Sequence, residues 1–191
     1  MPLVTSTDRS ERVSRCARLV ATGVAVLLLT GGALRAQTIT ATAPTVTAAF
    51  LLKFISFVDW PVDVLPPDAA LTMCLADPPV AEAVSRALSG RPASARPINV
   101  RQVEMGAVPP ECGVLYVSDL DARRTATLIN ALRGRSVLSV SNDEDFARRG
   151  GTIQLFLENG SMKFSVNPQA AERARLHVSS LLLKLAVIVK E

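Results

Sequence analysis

The residues able to do chemistry in this 191-residue chain are few and scattered. One histidine, His177, lies near the C-terminus. An imidazole can serve as the base of a hydrolytic Ser-His-Asp set, but no GxSxG nucleophile elbow accompanies this one. The three cysteines, Cys16, Cys74 and Cys112, give no zinc-ligand spacing with that distant histidine. Asp143, Glu144 and Asp145 form an acidic triplet. It reads either as a cation site or, preferably, as the first turn of a helix, where each negative charge gains roughly 0.3–1 kcal/mol from the helix dipole. Arg148–Arg149–Gly150–Gly151 offers two cations to an anion, but it equally suits an ordinary helix C-terminus, which is the preferred reading. There is no P-loop and no GxGxxG after the first strand. The sequence therefore names no catalytic residue, no metal site and no cofactor, and a binding role is expected instead of an enzymatic one.

The start of the chain bounds where such a protein works. Residues 1–18 are polar and carry four arginines, residues 19–30 (LVATGVAVLLLT) are apolar and uncharged, and residues 31–36 (GGALRA) are small and end in Ala36. That order matches a secretory signal peptide, residues 1–36, with cleavage near Ala36. The alternative, an uncleaved membrane anchor, is disfavoured because the apolar run falls short of the roughly 20 residues a spanning helix needs. Five of the 21 basic and two of the 17 acidic residues precede Gln37, so the remainder is close to neutral. A nucleic-acid partner loses its support with the leader. Cys16 leaves as well, and Cys74 and Cys112 remain as an even pair in an oxidising compartment, where a disulfide is expected. The bridge reads as a structural staple or as a redox switch.

The elements that position these residues follow from pattern and punctuation. Residues 37–44 read as a flexible leader, and residues 45–191 as one α/β domain. A helix capped at Thr45 or Thr47 is expected to run to about Val58, with Phe50, Phe54 and Phe57 on one stripe and Leu51, Ile55 and Val58 on the next. Asp59–Trp60–Pro61 ends it. Strands are expected at Leu71–Ala76, Pro97–Val103, Val114–Ser118 and Val137–Val140. Helices are expected from Pro78 to Leu88, from Asp119 or Asp121 to Leu132, and over the short run after Asn142. Asn159–Gly160 between two alternating runs marks a β-hairpin. Two helices, Pro168–Arg175 and Val178–Lys190, close the chain. This order favours a three-layer αβα fold, a mainly parallel sheet with an antiparallel C-terminal hairpin. In it Cys74 and Cys112 fall on or beside strands that are commonly neighbours, within the roughly 7 Å between Cα atoms that a disulfide requires.

Five segments in order resemble the YfiR family of periplasmic proteins. They are Ala48–Phe54 leading to Phe57–Pro61; Cys112–Ser118; Leu138–Ser141 with Phe146–Gly151; Lys163–Asn167; and Leu176–Ala186. The resemblance implies a dimeric, non-catalytic regulator that binds the periplasmic domain of an inner-membrane diguanylate cyclase, or of another membrane sensor. By holding the cyclase inactive, such a protein would restrain cyclic-di-GMP and biofilm formation. It also implies that Cys74 and Cys112 form the family's disulfide. A second, late cysteine pair of better-known members has no counterpart between Asp145 and Val166. Phe50, Phe54, Phe57 and Trp60 are candidates for a partner or homodimer surface, since excess apolar surface marks interfaces; covering the sheet is the equal alternative. The runner-up reading is a small-ligand sensor or solute-binding module, in one form acting on a histidine kinase, with the loops after Ala76, Ser118 and Ser141 lining its pocket.

Overall fold

The computed structural model describes residues 43–90, 96–104 and 108–190, all belonging to one compact unit. The expected signal peptide, and residues 37–42 of the expected leader, lie outside the described residues. The first helix, α1 (Ala43–Phe54), already includes Ala43 and Pro44, which shortens that leader. Proline is tolerated there because its missing N–H falls in the first turn, where no intrahelical acceptor exists. Thr47, Ala48, Leu51 and Phe54 share the buried face. The helix stops short of the expected Val58 because Val58–Asp59 (β1) extend to pair antiparallel with His177–Val178.

The chain continues through β2 (Leu71–Leu75), α2 (Pro78–Leu88), β3 (Ile98–Gln102), β4 (Cys112–Val117), α3 (Ala122–Ala131) and β5 (Leu138–Ser141). Asp77 caps α2 by accepting from the Val80 amide at 3.0 Å, and Asp121 caps α3 by accepting from the Arg124 amide at 2.8 Å. β6 (Ile153–Glu158) and β7 (Ser161–Val166) form the hairpin, with Asn159 and Gly160 both at positive φ as the tight turn demands. α4 (Pro168–Arg173), β8 (His177–Val178), α5 (Ser180–Leu185) and β9 (Val187–Ile188) complete it. The seven-stranded sheet has the order β3-β2-β4-β5-β6-β7-β9, parallel throughout except for the β6–β7 pair. Helices cover both faces, as the alternation of elements predicts. One face packs Met73, Leu75, Val114, Tyr116, Leu138 and Val140 against α1 and α2. The other packs Leu115, Val117 and the two cysteines against Leu128 of α3 and Phe146.

Two segments differ from expectation. Residues 142–150 form successive turns and not a helix. Asp145 sits at φ 59°, a left-handed conformation that no α-helix accommodates. The closing apolar run is not one helix from Val178 to Lys190. Ser179 caps the short α5, and the chain then straightens at Ala186 so that β9 can add to β7. His177 accordingly lies in a two-residue strand instead of at a helix start.

Candidate functional site

Cys74 and Cys112 are joined in a disulfide with Cα atoms 5.8 Å apart. Strict alternation along β4 would send Cys112 to the same face as Val114 and Tyr116, away from Cys74. A bulge prevents this: Thr72 pairs with Cys112 and Met73 already pairs with Val114, so Gly113 is the extra residue. Cys112 is thereby turned onto the α3 face, where Cys74 lies. Glycine suits the extra residue, since a Cβ there would come within 2.5 Å of Cδ1 of the buried Leu71 and force that side chain to shift. The Trp60 indole N–H donates to the Gly113 carbonyl at 3.1 Å and ties the segment after β1 to the bulge.

Phe54 is 1% exposed and packs at a tilt against Phe164 of β7, ring centroids 5.1 Å apart, so it belongs to the core and not to a surface. Phe50 packs on both rings, at 5.8 Å and 6.1 Å, and with Phe57 and Trp60 is half-buried. The face that α1 was expected to offer is drawn inward because the hairpin supplies Phe164 as its partner. Exposed apolar side chains gather instead at the last edge of the sheet. Leu181 and Leu185 of α5 are 60% and 73% exposed, and Val187 and Ile188 of β9 about half exposed. Among the described residues β9 pairs with β7 on one side only, which leaves its other edge without a strand partner. The excess apolar character of residues 181–189 was the sequence signal for this edge; its break into helix and strand carried none.

The carboxyl ends of β2, β4 and β5 are knitted together by their own side chains. Asp77 accepts from the Ser118 hydroxyl at 3.2 Å while capping α2. Asp143 accepts from the Ser141 hydroxyl at 2.7 Å and from the Leu120 amide at 3.1 Å. The first residue of the acidic triplet thus fastens two loops, and Asp145 turns away to Arg148. Among the described residues no three His, Cys, Asp or Glu side chains converge as metal ligands do. Burial, reinforced by the nearby carboxylates of Asp77, Asp143 and Asp119, holds the Tyr116 phenol well above its ordinary value, so it stays protonated at neutral pH. The loops after Ala76, Ser118 and Ser141, candidates for lining a ligand pocket, spend these polar groups on one another.

The chain is thus a disulfide-stapled αβα domain with exposed apolar side chains near the last strand of its sheet. The YfiR/HmsC-like family matches residues 44–187, and the chain belongs to that family. The family is one of periplasmic regulatory proteins that act on membrane signalling proteins. No curated protein matches in sequence. Among solved structures, the chain is similar to a conserved domain protein from Vibrio cholerae, with 13% identity and a TM-score of 0.49, over 78% of this chain and 60% of that one. The chain therefore spans less than two-thirds of that protein's length. No helix among the described residues is long and apolar enough to cross a membrane.

Proposed function

We propose that this protein is exported to the periplasm, binds the periplasmic domain of an inner-membrane diguanylate cyclase and represses it. Membership of the YfiR/HmsC-like family supports the regulatory class. The observation that carries the binding reading is the cluster of Leu181, Leu185, Val187 and Ile188 at an open sheet edge. Exposed apolar side chains beside a strand edge suit a protein partner, through side-chain burial and added strand pairing. The half-buried rings of Phe50, Phe57 and Trp60 supply the proposed homodimer contact, without Phe54.

The test is cellular cyclic-di-GMP in a strain lacking the gene. Its level rises, and exported wild-type protein restores it. Leu185→Asp, at an exposed position, folds normally but fails to restore it, since losing the burial of one leucine at an interface removes about 1.5–3 kcal/mol, a tenfold or greater loss of affinity. An unchanged cyclic-di-GMP level on deletion refutes the cyclase as partner. Full restoration by Leu185→Asp refutes the surface.

A further inference from the structure

On the face of the sheet opposite α1 lies a cleft of about 530 Å³ that the partner reading does not use. It opens between the end of α3, the residues after Ala147 and α4, and its charged lining is entirely cationic. Arg133, Arg135, Arg149 and Arg173 line it, and no aspartate or glutamate does. Arg135 is partly committed, donating to the backbone carbonyls of Val108 and Pro109. Arg133 and Arg149 pair with no carboxylate among the described residues, whereas the neighbouring Arg148 turns to Asp145.

The lining also includes Ser139 and Thr152, 3% and 2% exposed. The Ser139 oxygen accepts from the Thr152 amide at 3.0 Å, and the two hydroxyls lie 3.2 Å apart. Whichever hydroxyl donates to the other, one hydroxyl hydrogen remains with no acceptor among the described residues. A buried donor left unsatisfied is costly, and native proteins seldom tolerate one without a use for it. The guanidiniums of Arg133 and Arg149 over a spare buried hydroxyl disfavour a cation and offer the fork geometry that oxyanions take.

We propose that this cleft binds a small, multiply charged oxyanion of the phosphate-ester or polycarboxylate class, independently of the partner surface. Arg149 and Arg133 form the wall and the Ser139–Thr152 pair supplies a donor at the base. The arginine doublet read from sequence as an ordinary helix end is thus divided: Arg148 is structural and Arg149 faces the ligand.

The experiment is calorimetric titration of the exported protein with inorganic phosphate, pyrophosphate and citrate at fixed ionic strength, with chloride as control. At least one of the three binds with Kd below about 1 mM. Arg149→Ala and Arg133→Ala each weaken it about tenfold or more, as the loss of a charge-assisted hydrogen bond implies. Arg148→Ala leaves it unchanged. Binding of phosphate or pyrophosphate without citrate assigns the phosphoryl class, and binding of citrate extends the site to carboxylates. No binding by any of the three overturns the proposal. So does equal weakening by Arg148→Ala, which reports only the general positive field, or binding that survives both Arg149→Ala and Arg133→Ala. The three arginines are exposed, so these variants fold, which the near-ultraviolet signal of Trp60 verifies.

Discussion

Reducing the Cys74–Cys112 bridge tests how much of this fold rests on a staple. The cysteines are separated by 38 residues in sequence. Freeing a loop of that length restores unfolded-chain entropy worth about 4 kcal/mol, against a total stability of about 5–15 kcal/mol for a domain. With a urea slope of about 2 kcal/mol/M, the midpoint falls by about 2 M. At about 2–4 °C per kcal/mol for a chain of this size, the melting temperature falls by about 8–16 °C. Trp60, the only tryptophan, reports the transition from its place beside the bulge. Cys74 and Cys112 are 0% and 4% exposed, so a reductant reaches them only through opening, and reduction in native buffer proceeds at the opening rate. Oxidised and reduced midpoints within about 0.5 M of each other would refute the loop-entropy argument. Two titratable thiols in the denatured, non-reduced exported protein would show that the bridge does not form.

Gly151→Ala destabilises the fold by about 1–3 kcal/mol or more in urea melts, because its Cβ would lie 2.1 Å from the buried Phe146 ring. Trp60→Phe keeps an aromatic ring but removes the indole N–H that donates to the Gly113 carbonyl, lowering stability by about 1 kcal/mol or more in the same assay. The Arg175 guanidinium, hydrogen-bonded to both oxygens of Asp63 at 2.8 and 2.9 Å, holds that carboxyl below its ordinary value. A lowered folded-state value stabilises above the unfolded aspartate pKa of about 3.9, and that contribution disappears as pH falls through the folded value. NMR titration of Asp63 gives a midpoint below about 3.9 that returns toward it in Arg175→Ala.

Local chemistry wrote much of this fold into the sequence. Asp77–Pro78 announced α2, Asp121 announced α3, and Asn159–Gly160 placed the hairpin turn, because caps and tight turns depend on residues a few positions apart. What remained hidden depends on pairing between distant segments. Val178–Val189 is apolar enough for helix or strand, and short apolar runs do not discriminate the two by pattern. β7 decided the matter by offering Ser165 and Val166 as partners for Val187 and Ile188. The acidic start after Asn142 looked like a helix turn until Asp143 was drawn to Ser141 and Leu120. The bulge at Gly113 was illegible for the same reason, since a one-residue change in register belongs to two strands and not to one. For the candidate surface, the aromatic stripe around Phe54 could be read as interface or as interior, and Phe164, 110 residues away, made it interior.

The pairing of Val58 with Val178 and of Asp59 with His177 joins the beginning of the domain to its end. A chain emerging from its N-terminus delivers β1 early and β8 only after nearly the whole domain has emerged. Phe54 likewise waits for Phe164, and β7 waits for β9. Completion of the fold therefore waits for β8 and β9. A polypeptide truncated before residue 177 lacks both, so β1 has no strand partner and β7 becomes an unpaired sheet edge, the kind of edge that invites pairing with another chain.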